Sequence, residues 1–292
     1  MIPIGLCAQL ACIWEATARK PGNVHRYRDF DDTTYLDFLH SAAAIAPILE
    51  TACERHVGQT VLQCVQATQS VALRNTNLGI ILLLAPLATV PYSENLRTGL
   101  NQVLANLDVT DSRAVYEAIR LARPGGLGQV SEQDISQEPS LPLPDLMAMA
   151  ADRDMVARQY VTFYSDVLND GVPDLLLAIN KQPAISLEET IIYCQLRLMA
   201  KHPDSLIARK TCASEAEEAS HRAEKALDRF WTGGETRWEE LSKLDAWLRA
   251  KGNSRNPGTT ADLVTACLFI ALREGSITLP LAIPFFAGED YG

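Results

Sequence analysis

The chain has no Cys-x-x-Cys pair, no apolar run long enough to span a bilayer, no sustained period-two alternation and no excess of positive charge. Each absence removes a class of protein. The seven cysteines (Cys7, Cys12, Cys53, Cys64, Cys194, Cys212 and Cys267) are odd in number and scattered through apolar segments, so neither a disulfide framework nor a zinc ribbon is supported. Reduced, mostly buried thiols are expected. With 26 Lys and Arg against 36 Asp and Glu the net charge is −10, which argues against a uniform cationic surface for nucleic acid or anionic lipid. The most apolar stretch, residues 78–90, is too short for a membrane span. The first twenty residues show neither the basic start nor the small-residue cleavage site of a signal peptide, so a soluble cytoplasmic protein is expected.

What is present is helical periodicity. Apolar residues recur at helical spacing over 4–18, 34–55, 60–73, 78–89, 94–105, 112–122, 143–169, 187–200, 204–230, 236–250 and 259–274. Helices 78–89 and 262–273 are apolar around most of their circumference and belong inside a bundle. Only Ile185 and Ile277-Thr278-Leu279 offer short extended pieces. The expected fold is all-α, a single large multi-helix bundle with buried central helices spanning 1–292. Its longest break, residues 124–144, reads as an active-site loop within that domain. The apolar tail, residues 280–292, is expected to pack on the body or on a partner subunit, which leaves a homodimer open.

Polar residues collect at helix beginnings. The segment Lys20-Pro21-Gly22-Asn23-Val24-His25-Arg26-Tyr27-Arg28-Asp29-Phe30-Asp31-Asp32 places an amide, an imidazole, guanidiniums and three carboxylates after a Pro-Gly turn. A turn needs only Pro, Gly and Asn, so the rest suits a polar, phosphorylated ligand, although Asp31 or Asp32 could cap the helix near Thr34. Arg74-Asn75-Thr76-Asn77 precedes a buried helix whose free N–H groups need side chains or a ligand. Asn256-Pro257-Gly258-Thr259-Thr260-Ala261-Asp262 offers N–H groups and two hydroxyls to a phosphate, with Asp262 one turn inside as a metal or hydroxyl ligand or a dipole-favoured Asp. On a continuous helix 143–169, Arg153 lies on the stripe of Met149, Val156, Tyr160, Tyr164 and Val167. Asp152 borders that stripe and Asp154 faces Arg158. A fifth cluster is His202-Pro203-Asp204-Ser205 with Arg209 and Lys210.

These motifs give the chain a resemblance. Glu15 with Lys20-Pro21-Gly22-Asn23-Val24, Phe38 with Ser41-Ala42, Asn75-Thr76-Asn77-Leu78-Gly79, Ala151-Asp152-Arg153-Asp154 with Tyr160, and Asn256-Pro257-Gly258-Thr259-Thr260-Ala261-Asp262-Leu263 are similar in order and spacing to the triphosphoribosyl-dephospho-coenzyme A synthase family. The resemblance implies an all-helical transferase that moves the triphosphoribosyl group of ATP to the 2′-hydroxyl of dephospho-coenzyme A and releases adenine, with Mg²⁺ expected. It implies catalytic or metal roles for Asp29, Asp152 and Asp262, and substrate contacts from Lys20, Asn23, His25, Arg26, Asn75, Thr76, Asn77, Arg153, Tyr160, Arg209, Asn256, Gly258, Thr259 and Thr260. Small-molecule nucleotides are the implied partners. The chain departs from the family where a central His-Lys is replaced by Asn77-Leu78, in the stretch from His25 to Asp32, and where Gly-Gly-Ser-Ala-Asp becomes Gly258-Thr259-Thr260-Ala261-Asp262. Such changes resemble a divergent archaeal, methanopterin-associated branch. Two alternatives stay open: a related ribosyl transferase in methanopterin-type cofactor assembly, and a non-catalytic nucleotide-binding relative.

Overall fold

The structure, a computed structural model, describes residues 1–124, 134–181, 184–231 and 234–286. Most of the expected loop's first half and the last residues of the tail therefore lie outside the described residues. Among the described residues the fold is all-α, with fourteen α-helices and no strand; the only β-bridges are isolated, between His25 and Arg28 and between Phe30 and Thr33. No helix there is long and apolar enough to cross a membrane.

The chain forms two compact units, one of residues 1–12 and 36–165, the other of residues 13–35 and 166–292. Helix α1 (Ile4–Thr17) runs from the first into the second. The first unit continues with α2 (Tyr35–Glu50), α3 (Val57–Gln69), α4 (Leu78–Thr89), α5 (Leu96–Ala105), α6 (Val109–Ala122), α7 (Leu143–Ala150) and α8 (Met155–Val161). In the second, a π-helical turn (Asp166–Gly171) leads into α9 (Val172–Ile179), followed by α10 (Leu187–Lys201), α11 (Ser205–Lys210), α12 (Ala213–Phe230), α13 (Gly234–Arg249) and α14 (Gly258–Arg273).

In the first unit α4 is buried on nearly every side, as its composition requires. It contains Pro86, which has no N–H to give to the carbonyl of Leu82 four residues earlier. A buried carbonyl without a partner is costly, and two tyrosines supply donors: the Tyr160 hydroxyl donates to Leu82 O at 2.6 Å and the Tyr164 hydroxyl to Leu83 O at 2.9 Å. The second unit has a counterpart. Pro203 cannot bond back to Met199, and the Ser220 hydroxyl donates to Met199 O at 2.7 Å instead. Its core joins α10, α12 and α13 around the fully buried Phe230; α12 turns Ala216, Ala219, Ala223 and Ala226 inward, so small side chains let the backbones approach.

Two expectations are corrected. The continuous helix 143–169 does not exist. Residues 151–154 form a turn, and Asp154 caps α8 by accepting from the N–H groups of Val156 and Ala157. Phe163 and Tyr164 then take left-handed conformations (φ 53° and 59°), a strain held by the buried Tyr164 ring. With the helix broken, the projection that put Arg153 on an apolar stripe fails: Asp152 and Arg153 are exposed in the turn. The expected helix 204–230 is split at Thr211 and Cys212, and α9 was not foreseen. Ile185 and residues 277–279 lie outside the helices and form no strand, in keeping with the expected lack of sheet. The tail does pack as expected as far as it is described, its Pro284 and Phe285 carbonyls accepting from the first N–H groups of α10.

Tyr160→Phe is expected to destabilise the protein by about 1–3 kcal/mol by stranding the Leu82 carbonyl. In a Pro86→Ala background, where a backbone N–H becomes available, the same change should cost less; urea unfolding of the four proteins measures the difference.

Candidate functional site

The loop that follows α1 in the second unit holds the densest polar network. Lys20 is fully buried, and its ammonium returns to α1, donating to the Glu15 carboxylate (2.8 Å) and to the Glu15 carbonyl. Its expected phosphate contact is therefore corrected: Lys20 fastens the loop. Gly22 has φ +79°, and a Cβ there would lie 2.7 Å from Leu248 and 2.9 Å from Pro257, so the turn admits only glycine. Next to it, Asn23 is buried and tied on three sides. Its Nδ2 donates to Asn256 Oδ1 (2.7 Å), its Oδ1 accepts from Gln195 Nε2 (2.8 Å), and its carbonyl accepts from Arg249. The Lys-Pro-Gly-Asn and Asn-Pro-Gly motifs, far apart in sequence, thus touch directly.

Arg26 is likewise committed. Its guanidinium donates to Thr17 O and to both oxygens of Glu188, and it lies between the rings of Tyr27 and Phe286, at 4.5 and 4.3 Å. Glu188 is fully buried and also accepts from the backbone N–H, Nε and Nη2 of Arg19. Burial raises its pKa, but the hydrogen bonds from Arg26 and Arg19 outweigh that and leave it below the usual carboxylate range.

His25 sits between these groups. Burial first, then the charges of Lys20, Arg249 and Arg26, depress its pKa to about 4 against the opposing pull of Asp245. It is therefore neutral at physiological pH. Because Nδ1 accepts the Tyr27 N–H (3.3 Å), its proton belongs on Nε2. Burial is the larger cause of the depression, and the nearby cations add to it.

The carboxylates divide. Asp29 rather than Asp31 or Asp32 reaches the start of α2, its Oδ1 accepting from Tyr35 N at 2.6 Å. Asp32 accepts from Asn253 Nδ2. At the start of α14 the expected phosphate cradle is occupied at Thr260: its N–H and hydroxyl both donate to Asp204 Oδ2 (2.7 and 2.8 Å), while Asp204 Oδ1 caps α11. Burial pushes the pKa of Asp204 up, offset in part by these bonds. Thr259 shares a hydrogen bond with Ser205 (3.2 Å), and Gly258 packs against Leu206, where a Cβ would lie 2.6 Å away. Asp262 is half-buried on the first turns of α14, and Arg209 is half-buried on α11.

The remaining expected residues belong to the first unit. Asn75 caps α4, accepting from the N–H groups of Asn77 and Leu78. Thr76 pairs with Ser41 at 2.7 Å, and Asn77, buried, accepts from Thr68 while its Nδ2 has no protein partner. Tyr160 is a core residue through its bond to Leu82.

The sequence reading missed Glu188, Gln195, Asp245 and Arg249. Glu188 reads as an ordinary first-turn acid beside the Ser186–Glu189 capping box, and Asp245 with Arg249 reads as an i,i+4 surface pair. Gln195 alone gave a signal, an uncharged polar residue in the apolar middle of α10.

An all-helical protein that gathers amides, carboxylates and a neutral histidine in one polar loop has the makings of a nucleotide-handling transferase. The comparisons agree. The family model of ATP:dephospho-CoA triphosphoribosyl transferase (CitG) matches residues 2–278, and the chain belongs to that family. It is an ATP-dependent triphosphoribosyl transferase. A crystal structure from Archaeoglobus fulgidus, provisionally assigned as a triphosphoribosyl-dephospho-coA synthase, is similar with a TM-score of 0.62 and 28% identity, over 81% of this chain and 99% of that one. No curated protein sequence matches.

In the unfolded chain His25 titrates near 6.5, and in the folded one near 4. Between those values the unfolded state binds the extra proton, so the stability contributed by neutral His25 is complete above pH 6.5 and falls as the pH drops toward 4. The shift corresponds to roughly 3 kcal/mol. His25→Gln should flatten this part of the stability curve, as read by urea unfolding between about pH 4.5 and 7.

Proposed function

We propose that the second unit's polar loop handles the reacting ribose and triphosphate of ATP, and that the chain joins this sugar to a hydroxyl of dephospho-coenzyme A with loss of adenine. The observation that carries the reading is the direct bond between Asn23 and Asn256 beside a histidine held neutral chiefly by burial.

The reaction is a displacement at the anomeric carbon. A bond forms from the acceptor oxygen as the bond to adenine breaks, the hydroxyl proton passes to a carboxylate, and the leaving base takes a proton from water. Asp29 and Asp262 are the base candidates in this unit, and Asp29 keeps its second oxygen after capping α2. His25 is neutral with its proton on Nε2, which suits it to donate a hydrogen bond to the leaving base or a sugar oxygen rather than to act as an imidazolium.

Mg²⁺ suits this donor set, since it takes one or two carboxylates and completes its shell with phosphate oxygens and water. Asp29 or Asp262 would hold it, and bound there it would neutralise charge on the triphosphate. The acid–histidine groupings His56–Asp108–Asp111 and Asp166–Asp170–His202 serve less well. Asp108 and Asp111 are spent in a capping box, and Asp170 is paired with Lys201 and His202. The replacement of a family His-Lys by Asn77-Leu78 favours one second reading, a related acceptor in methanopterin-type cofactor assembly. A cytoplasmic setting is part of the proposal.

Incubation with ATP and Mg²⁺ should release adenine only when dephospho-coenzyme A is present. Release that requires a different hydroxyl acceptor would move the chain to the second reading, and ATP binding without release under any condition would make it a non-catalytic relative. Asp262→Asn should lower turnover at least tenfold; unchanged turnover would reduce Asp262 to a helix-dipole residue.

A further inference from the structure

Asp245 and Arg249 are spaced as an exposed i,i+4 pair on α13, yet their hydrogen bonds run into the polar loop. The loop's own backbone satisfies part of it: Asn23 N bonds to Lys20 O, and His25 with Arg28 and Phe30 with Thr33 each exchange a pair of bonds. Gln195 on α10 donates to Pro21 O, and three further backbone groups find partners on α13. Asp245 Oδ1 accepts the Gly22 N–H at 2.8 Å and Arg249 Nε at 2.8 Å, while Oδ2 lies 3.4 Å from Arg28 Nη1. Arg249 Nη2 donates to the carbonyl of Asn23 and Nη1 to the carbonyl of Asp29 at 3.4 Å, with the guanidinium over the Phe30 ring at 4.8 Å. The grips fall on both sides of His25, at 22–23 and at 29. Their side chains are 19% and 11% exposed, unlike the 59% of Lys243 in the exposed pairs of the same helix.

We propose that Asp245 and Arg249 are positioning residues for the transfer reaction, fixing the backbone of residues 22–29 so that His25 and Asp29 are presented in one register. The inference rests on the reading of this loop as the reacting site. The guanidinium is essential to it, because a fork of N–H groups reaches two carbonyls and a carboxylate at once; a lysine ammonium in the same place keeps the ion pair to Asp245 and loses the double carbonyl grip.

The test uses the full-length chain, Arg249→Lys and Asp245→Asn. Expected for Arg249→Lys is a fall in kcat of at least tenfold with KM for ATP within threefold, in protein that remains folded by circular dichroism. The ¹⁵N signal of His25 Nδ1 should lose its hydrogen-bonded acceptor signature as the loop loosens. If Arg249→Lys does not fold, Asp245→Asn, which keeps an oxygen for Gly22 but no charge for the arginines, is expected to show the same split. Turnover within twofold of the parent together with an unaltered His25 signal would overturn the proposal. So would a loss that merely follows the unfolded fraction. Should the parent chain release no adenine, the functional reading fails, and the His25 signal alone decides the positioning: an unchanged spectrum in folded Arg249→Lys overturns it, and a changed one upholds it.

Discussion

The second unit depends on one buried amide. Asn23 joins the loop after α1 to α10 through Gln195 and to the start of α14 through Asn256, and its carbonyl is held from α13 by Arg249. A buried primary amide has donors and acceptors that must all be met, so its surroundings are constrained in several directions at once. The Pro-Gly turn before it brings the loop close enough for this, since at Gly22 any side chain would strike Leu248 and Pro257. The convergence of the motifs follows from satisfying Asn23.

The same economy of polar groups explains the charges. Carboxylates that would be costly to bury alone are each surrounded by donors: Glu188 by two arginines, Asp204 by the beginnings of α11 and α14, Asp245 by a backbone N–H and Arg249. Several groups that look like ligand contacts in the sequence are consumed this way. Lys20, Arg26 and Thr260 are the clear cases, and what they leave to a substrate is a shaped loop in which His25 is neutral at physiological pH.

Family membership and the departures from its pattern fit one picture. The residues shared with the family lie where the backbone is constrained, as in the Gly22 turn and the Asn23–Asn256 bond. The central motif, where the resemblance led to an expectation of His-Lys, reads Asn77-Leu78 and falls at the start of α4, with both side chains buried.

The sequence by itself determined the all-α class, the burial of α4 and α14, and the motifs that mark the family, because apolar periodicity and turn chemistry are local properties. It misjudged the segment 143–169, where one Asp cap and two left-handed aromatic residues outweigh a good helical pattern. Tertiary structure alone decided which polar residues are spent and which are left. Glu188 and Arg249 look like routine helix-surface residues until the fold turns them inward, and Tyr160 looks like a site residue until Pro86 leaves a carbonyl for it. Spacing along the chain says what a side chain is able to bond. Only the packed structure says which partners come within reach, and burial then makes those bonds obligatory.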